Sequence, residues 1–383
     1  MRFASIAAPQ PHRRVVQSPL GDALALFHLD TRRLHFLNGS AAAIWSALPE
    51  ADTIDDLTVV LGDRFDVDPG EIRRDVDTAI DRLRVDGLVQ VDDRFCAPTT
   101  QRADAAPPAT EDGDLVIGAL DARVAIRCDD EEIAATIGAI LAPLAVDDAP
   151  TIVVSIAADG DVWTLSVGER PPVRLASPVS LVLRTLGEIK NHAVDSVPDH
   201  LVFHAGAVEA NGRAVVLPAA SNHGKSTLTT ALVRHGFGYL SDEAAAIGSD
   251  GSVRPYPKAV ALDPGSFPLF PDLAPSADVT GLGRTVACRE WHVDPSRLGS
   301  VAAPTPVAAI VCPHWRAGAS TRIAPIDPAE ALHLLLGEAF DFSAGGQTVF
   351  DRLVRLVDEV PAFRLGYSDL DEAVHAVRTV LVD

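Results

Sequence analysis

Ala214-Val215-Val216-Leu217-Pro218-Ala219-Ala220-Ser221-Asn222-His223-Gly224-Lys225-Ser226-Thr227-Leu228 is the stretch that decides the fold. The apolar run 214–217 has the character of a buried strand, the small residues after it that of a loop, and 227–233 carries helical apolar spacing. Strand, loop and helix in this order around Gly-Lys-Ser-Thr is the context in which a P-loop works. Backbone N–H groups and the positive end of the helix face phosphate, the Lys reaches the β- and γ-phosphates, and the neighbouring hydroxyl ligates Mg²⁺. Ala220, Ser221, Asn222, His223, Gly224, Lys225, Ser226 and Thr227 are therefore the candidate site for ATP, with Ser226 a ligand of Mg²⁺. The pattern's first Gly is replaced by Ala219, so that position has to accept a Cβ. The chain has only three lysines, Lys190, Lys225 and Lys258, and one of them falls inside this motif.

At 383 residues and 47% apolar content, two or more domains with sizeable cores are expected. A formal charge of -21 disfavours nucleic acid, whose backbone demands a basic surface, and makes a basic or neutral peptide the more natural guest. Cys96, Cys128, Cys288 and Cys312 lie far apart, as reduced cytoplasmic thiols do, without the spacing of a disulfide framework or zinc site. Residues 1–16, with Arg2, Pro9, Pro11, Arg13 and Arg14, lack the apolar segment of a secretion signal. No apolar run approaches the roughly 18 residues that a bilayer span needs. The expected location is the cytoplasm, with no membrane partner.

Residues 14–91 read as a compact unit. Leu24, Leu26 and His28 alternate, Asp30-Thr31-Arg32 turns, and Leu34 to Leu37 answers as a second strand. Asn38 or Ser40 then caps a helix over 41–48, Thr53 caps another carrying Leu57, Val60 and Leu61, and Ile72, Val76, Ile80 and Leu83 mark a third that Asp86-Gly87 ends before a short strand 88–91. Hairpin, three helices and returning strand make a winged helix. Its usual partner, DNA, is excluded by charge: residues 1–97 hold 11 Arg and no Lys against 16 Asp and Glu, and the third helix is itself acidic.

Leu34-His35-Phe36-Leu37-Asn38-Gly39-Ser40-Ala41-Ala42-Ala43-Ile44-Trp45, with Asp55-Asp56-Leu57 and Asp75-Val76 through Asp86-Gly87-Leu88-Val89, resembles the PqqD-like family. That resemblance implies a recognition domain over 1–97 for the leader of a ribosomally made precursor peptide. The leader would add as a strand along Arg33 to Leu37 and pack against the Ile72 to Leu83 helix, taking its affinity from main-chain hydrogen bonds.

Residues 98–113, rich in Pro, Ala, Thr and acids, read as a linker. From 114 to 200, strands at 115–117, 124–126, 151–154 and 162–165 and helices at 133–141 and 179–192 form an α+β subdomain in which no chemistry is visible. The catalytic domain is expected over 201–383. His204 to Leu217 is a hairpin turned at Asn211-Gly212, whose second strand delivers the P-loop. After one helix, Gly238 to Ser241 is a short strand ending in Asp242 and Glu243, positions from which one carboxylate can complete a Mg²⁺ site and another accept a hydroxyl proton.

His204, Asn211-Gly212, Ala219 to Thr227 and Ser241-Asp242-Glu243, followed by Val253 to Leu262, resemble HPr kinase/phosphorylase and its relatives beside peptide-modifying enzymes. The resemblance implies that Lys225 neutralises phosphate charge, Ser226 holds Mg²⁺, Asp242 and Glu243 share metal binding and general-base work in an order left open, and His204 sits near the acceptor or γ-phosphate. Glu243 stands where the family has a second Asp, and the phosphorylase signature is missing. His223 reads as a loop filler. Lys258 is the next Lys to suspect, Arg284, Arg289, Arg316 and Arg322 are candidates for charge stabilisation, and Ser343 to Gln347 imitates a transporter signature but reads as a loop. Helices at 330–336, 349–357 and 370–381 are expected to close the domain.

The expected architecture is α/β and α+β multidomain: a PqqD-like winged helix followed by an HPr-kinase-like P-loop domain with a mixed sheet. The expected activity is transfer of the ATP γ-phosphoryl group to a Ser or Thr hydroxyl of a leader-bound precursor peptide. Its rivals are a metabolite kinase and a nucleotide-responsive peptide chaperone without catalysis. The kinase resemblance also implies a homo-oligomer.

Overall fold

The computed structural model describes residues 7–65, 69–90, 114–160, 162–220, 223–340 and 345–381. The expected linker, Ser221, Asn222, Cys96, Ser343 and Ala344 lie outside the described residues. Two compact units emerge, one of residues 1–103 with 343–358, the other of 104–342 with 359–383.

In the first unit β1 (Gln10–Pro11) pairs with β5 (Val89–Gln90), and β2 (Val15–Leu20), β3 (Ala23–His28) and β4 (Arg33–Leu37) form an antiparallel sheet in that order. The strand β2 is not apparent in the sequence, because Gln17, Ser18 and Pro19 interrupt its apolar alternation. Asn38 caps α1 (Gly39–Ala47) by accepting from the Ala41 N–H at 3.1 Å. Ahead of α2 (Ile54–Phe65), Thr53 and Asp56 exchange backbone and side-chain hydrogen bonds in a capping box. The third helix, α3 (Pro69–Val85), stops where Gly87 turns left-handed at φ +71° and the Leu88 N–H reaches back to the Leu83 carbonyl. Leu26, Trp45, Leu48, Leu57, Leu61, Val76, Ile80 and Leu88 form the core beneath these helices. The hairpin, three helices and returning strand are as the sequence pattern predicts.

The second unit begins with β6 (Leu115–Ala119), β7 (Ala122–Cys128), α4 (Glu131–Leu141), β8 (Ile152–Asp159), β9 (Val162–Val167), β10 (Val173–Leu175) and α5 (Pro178–Asp195), the strands forming one sheet in the order 10-9-8-7-6. A nine-stranded mixed sheet follows. It contains β11 (Leu201–Phe203), β12 (Ala205–Ala210), β13 (Arg213–Pro218), β14 (Gly238–Ser241), β15 (Ala245–Ile247), β16 (Ser252–Arg254), β19 (Thr305–Trp315), β20 (Arg322–Ile326) and β21 (Ala362–Tyr367). Asn211 at φ +54° and Gly212 at φ +74° make the β12–β13 turn. Strand β13 is flanked by antiparallel β12 and parallel β19, and β19 in turn by parallel β21. Helices α6 (Lys225–Arg234), α8 (Pro328–Glu338) and α10 (Leu370–Thr379) and the short pair β17 (Val260–Leu262) and β18 (Trp291–Val293), with α7 (Gly281–Ala287) between them, complete the unit. Val208, Val215, Leu217, Leu228, Leu232, Tyr239, Val311 and Leu365 are at the centre of its core.

One helix departs from expectation. The 349–357 segment, expected to close the catalytic domain, lies within α9 (Gly346–Glu359), which belongs with the first unit. Phe350 stacks on Phe27 with ring centroids 5.9 Å apart, and the Gln347 amide brackets the Gln17 backbone, accepting from its N–H at 3.0 Å and donating to its carbonyl. The apolar spacing of this helix is strong, but spacing does not say which core it faces.

Candidate functional site

Strand β13 ends at Pro218, and Ala219 follows it buried without adopting a left-handed backbone, so the Cβ in place of the pattern's first Gly is accommodated. Gly224 is left-handed at φ +83° and caps α6, and a Cβ there would collide with the Tyr367 hydroxyl. That hydroxyl donates to the Gly224 carbonyl at 3.1 Å, tying the loop to the end of β21. Lys225 opens α6 only 8% exposed, and its Nζ has no hydrogen-bond partner. Burial lowers its pKa, against the opposing pull of Asp242, Glu338 and Glu243.

Asp242 and Glu243 follow β14. The buried Ser241 hydroxyl accepts the N–H groups of Glu243 and Ala244 at 3.3 and 3.1 Å, fixing the turn that presents both acids. Asp242 is 3% exposed; one oxygen accepts the Ala261 N–H at 3.4 Å, while Oδ1 has no partner. Burial raises its pKa to about 6, against Lys258, Lys225 and the Ser226 hydroxyl. Glu243 behaves oppositely. Burial alone would raise it, but Lys258 at 2.8 Å and Lys190 at 3.5 Å outweigh that and hold it at about 2.

A cavity of about 460 Å³ opens over these groups, and all three lysines of the chain line it. Lys190 comes from α5, which corrects the reading of 114–200 as free of chemistry. The structure brings Ala220, Gly224, Lys225, Ser226, Thr227, Asp242, Glu243 and His204 together at this cavity. His204 lies between β11 and β12, its pKa lowered to about 4 by burial and by Lys225, so its ring is neutral. His223 lies instead against the His314 ring, 4.6 Å between centroids, and does not line the cavity. Nor do Arg284, Arg289, Arg316 or Arg322.

Asp263, Glu290 and His292 also line the cavity and were missed in the sequence. Burial, with Glu243 and Asp242 nearby, raises Glu290, and burial with Lys258 lowers His292 to about 4. Only the scarcity of lysine could have drawn attention to Lys190; nothing in the local pattern marks Glu290 or His292. Among the described residues no cluster of three or more His, Cys, Asp or Glu could hold a metal by itself. A cation here would share its coordination with phosphate oxygens.

In the first unit, β4 has β3 on one side and, among the described residues, no strand on the other. Beside it a cavity of about 270 Å³ lies between β4 and α3, lined by His35, Phe36, Leu37, Ala79, Arg82 and Leu83. Phe36 is 41% exposed. Among the described residues, no helix is long and apolar enough to cross a membrane.

Residues 24–89 match the family described as Coenzyme PQQ synthesis protein D (PqqD). Among solved structures, the chain is similar to TbiB1 in complex with the TbiA(beta) leader peptide, with 22% identity over 22% of this chain and 99% of that one and a TM-score of 0.21. It is also similar to the Hpr(Ser) kinase/phosphatase from Coxiella burnetii, with 14% identity over 47% of this chain and 87% of that one and a TM-score of 0.22. No curated protein matches the chain. The N-terminal unit is PqqD-like over residues 24–89, and the second unit is built on a mixed sheet.

Proposed function

We propose that the protein is a phosphotransferase that moves the γ-phosphoryl group of ATP to a Ser or Thr hydroxyl of a precursor peptide, whose leader lies on the N-terminal unit. The observation that carries this reading is the buried, partnerless Lys225 Nζ at the start of α6, facing a second orphan, Asp242 Oδ1. A polar atom buried without a partner costs stability, so a cation and an acceptor kept in that state in one cavity are what a site for an absent anionic ligand and its counter-ion looks like. The residues therefore fit phosphate and Mg²⁺. Ser226, with Asp242 beside it, would hold the ion, which when bound offsets phosphate charge.

Lys225 and the N–H groups at the start of α6 draw the triphosphate in and neutralise charge on the transferring group. The acceptor oxygen attacks the γ-phosphorus, the bond to the β,γ-bridging oxygen breaks, and ADP leaves. The hydroxyl proton passes to Asp242, which is buried in the cavity with Oδ1 free of hydrogen bonds. Glu243, held near 2 by two lysines, serves as the anchor that positions Lys258 and Lys190. On the N-terminal unit the leader extends along the outer edge of β4 and places side chains in the cavity beside α3, a mode in which main-chain hydrogen bonds give affinity. Holding leader and catalytic site on one chain raises the effective concentration of the modifiable residue.

The test is intact-mass spectrometry of a precursor peptide incubated with the protein and Mg-ATP, alongside Lys225→Ala and Phe36→Asp. A gain of one phosphate that needs Lys225 and slows with Phe36→Asp is the expected result. An unchanged peptide mass despite ATP binding would overturn the kinase reading and favour the chaperone; phosphorylation only of free hydroxy compounds would favour the metabolite kinase.

A further inference from the structure

A second cavity, of about 730 Å³, adjoins the first at the start of α6, and Gly224, Thr227 and Asp263 line both. The two differ in chemistry. The first holds the chain's three lysines; the second has no Lys, Arg or His in its lining and is built from Leu269, Trp315 and Leu370 with the carboxylates of Asp369 and Asp371. A molecule that fills both therefore needs an anionic end and, a few bonds away, a flat apolar end with N–H donors. From these observations we infer that the second cavity binds the nucleoside of the nucleotide, its base stacked on Trp315 and its amino edge turned to Asp369 and Asp371. The inference rests on the phosphate-binding reading above.

The placement is fixed by the loop itself. The Trp315 backbone N–H donates to the His223 carbonyl at 3.2 Å, which ties the end of β19 to the backbone just before Gly224 and Lys225. Trp315 ends β19, the parallel neighbour of the strand that delivers the loop, and 46% of it is exposed. An exposed Trp beside an apolar recess is a surface on which a planar base gains stacking energy. Asp369, whose Oδ1 accepts the Glu372 N–H, and Asp371, whose Oδ1 lies 3.4 Å from His235 Nε2, flank the start of α10 just beyond the Tyr367 that holds Gly224, each with its other oxygen left for a ligand. Thr227 stands at the junction, its hydroxyl 2.6 Å from that of Ser266, so a ligand crossing between the cavities passes a pair of hydroxyls suited to the α-phosphate or ribose. The volume lies within the range of small-molecule sites.

Isothermal titration of the full chain with ATP and, separately, with inorganic triphosphate tests this. Trp315→Ala is expected to weaken ATP roughly tenfold, the loss of one base-stacking contact, and to leave inorganic triphosphate unchanged, while Trp315→Phe restores most of the affinity. Unchanged triphosphate binding also shows that the variant is folded. If Trp315→Ala leaves ATP binding intact, or weakens both ligands together, the nucleoside assignment is wrong while the phosphate site stands. If the wild-type protein binds no inorganic triphosphate, or Lys225→Ala does not abolish that binding, the phosphate site falls and the nucleoside assignment falls with it.

Discussion

Lys258 Nζ stands 2.8 Å from Glu243 Oε2 in the floor of the cavity, both side chains largely buried. Removing one partner of such a pair strands the other's charge. Lys258→Met is expected to cost about 3 kcal/mol of stability in urea unfolding, moderated by the second lysine, Lys190. Adding Glu243→Gln to that variant should recover most of the loss; a double variant as unstable as the single one would show that the pair is not the cause.

The same pair sets an acid limit. With Glu243 at about 2 in the folded state against 4.5 as its ordinary value, its stabilisation is fully present above 4.5 and is lost as the pH falls toward 2. Wild-type stability, followed by the urea midpoint, should decline more steeply through that window than that of Glu243→Gln. Equal slopes would mean that the carboxylate is not held down.

Lys225 is a contrasting case, since its Nζ is buried without a hydrogen-bond partner. Lys225→Met should therefore leave stability unchanged or raise it by about 1 kcal/mol while reducing ATP affinity by about two orders of magnitude. A large loss of stability would identify Lys225 as a structural residue.

Gly224→Ala meets both a left-handed backbone and the Tyr367 hydroxyl. It should cost about 2 kcal/mol, and Tyr367→Phe in the same chain should return part of it by removing the colliding oxygen. Thermal melts of the three variants measure the coupling.

Phe350, fully buried, packs on Phe27, so Phe350→Ala should cost about 3 kcal/mol and be felt first in the N-terminal unit. Hydrogen exchange should quicken in β2 and β3 and leave β12 and β13 protected. Loss of protection in β12 and β13 alone would place the helix in the other core.

Local chemistry made much of this molecule legible. Gly-Lys-Ser-Thr after an apolar run, Asn211-Gly212, the Asn38 and Thr53 caps and the Asp86-Gly87 stop are each decided by a few adjacent residues, and each stands where the pattern places it. Lys190 was not legible because it reaches the cavity through a contact with Glu243, 53 positions later, and Glu290 and His292 were not because only the pairing of β18 with β17, which sets His292 opposite Ala261, 31 positions earlier, brings them there. The helix α9 shows the same limit from the other side. Its amphipathic face is plain in the sequence, but Phe27, on which its Phe350 stacks, stands 323 positions earlier.

That helix also bears on how such proteins could be recombined. Because residues 343–358 complete the N-terminal unit, its gene segment is not a detachable cassette. A chimera that exchanged only residues 1–97 for another PqqD-like domain would pair a foreign sheet with the native Phe350 and Gln347, and would inherit a mismatched seam. Transplanting the unit intact means moving two separated stretches of coding sequence together.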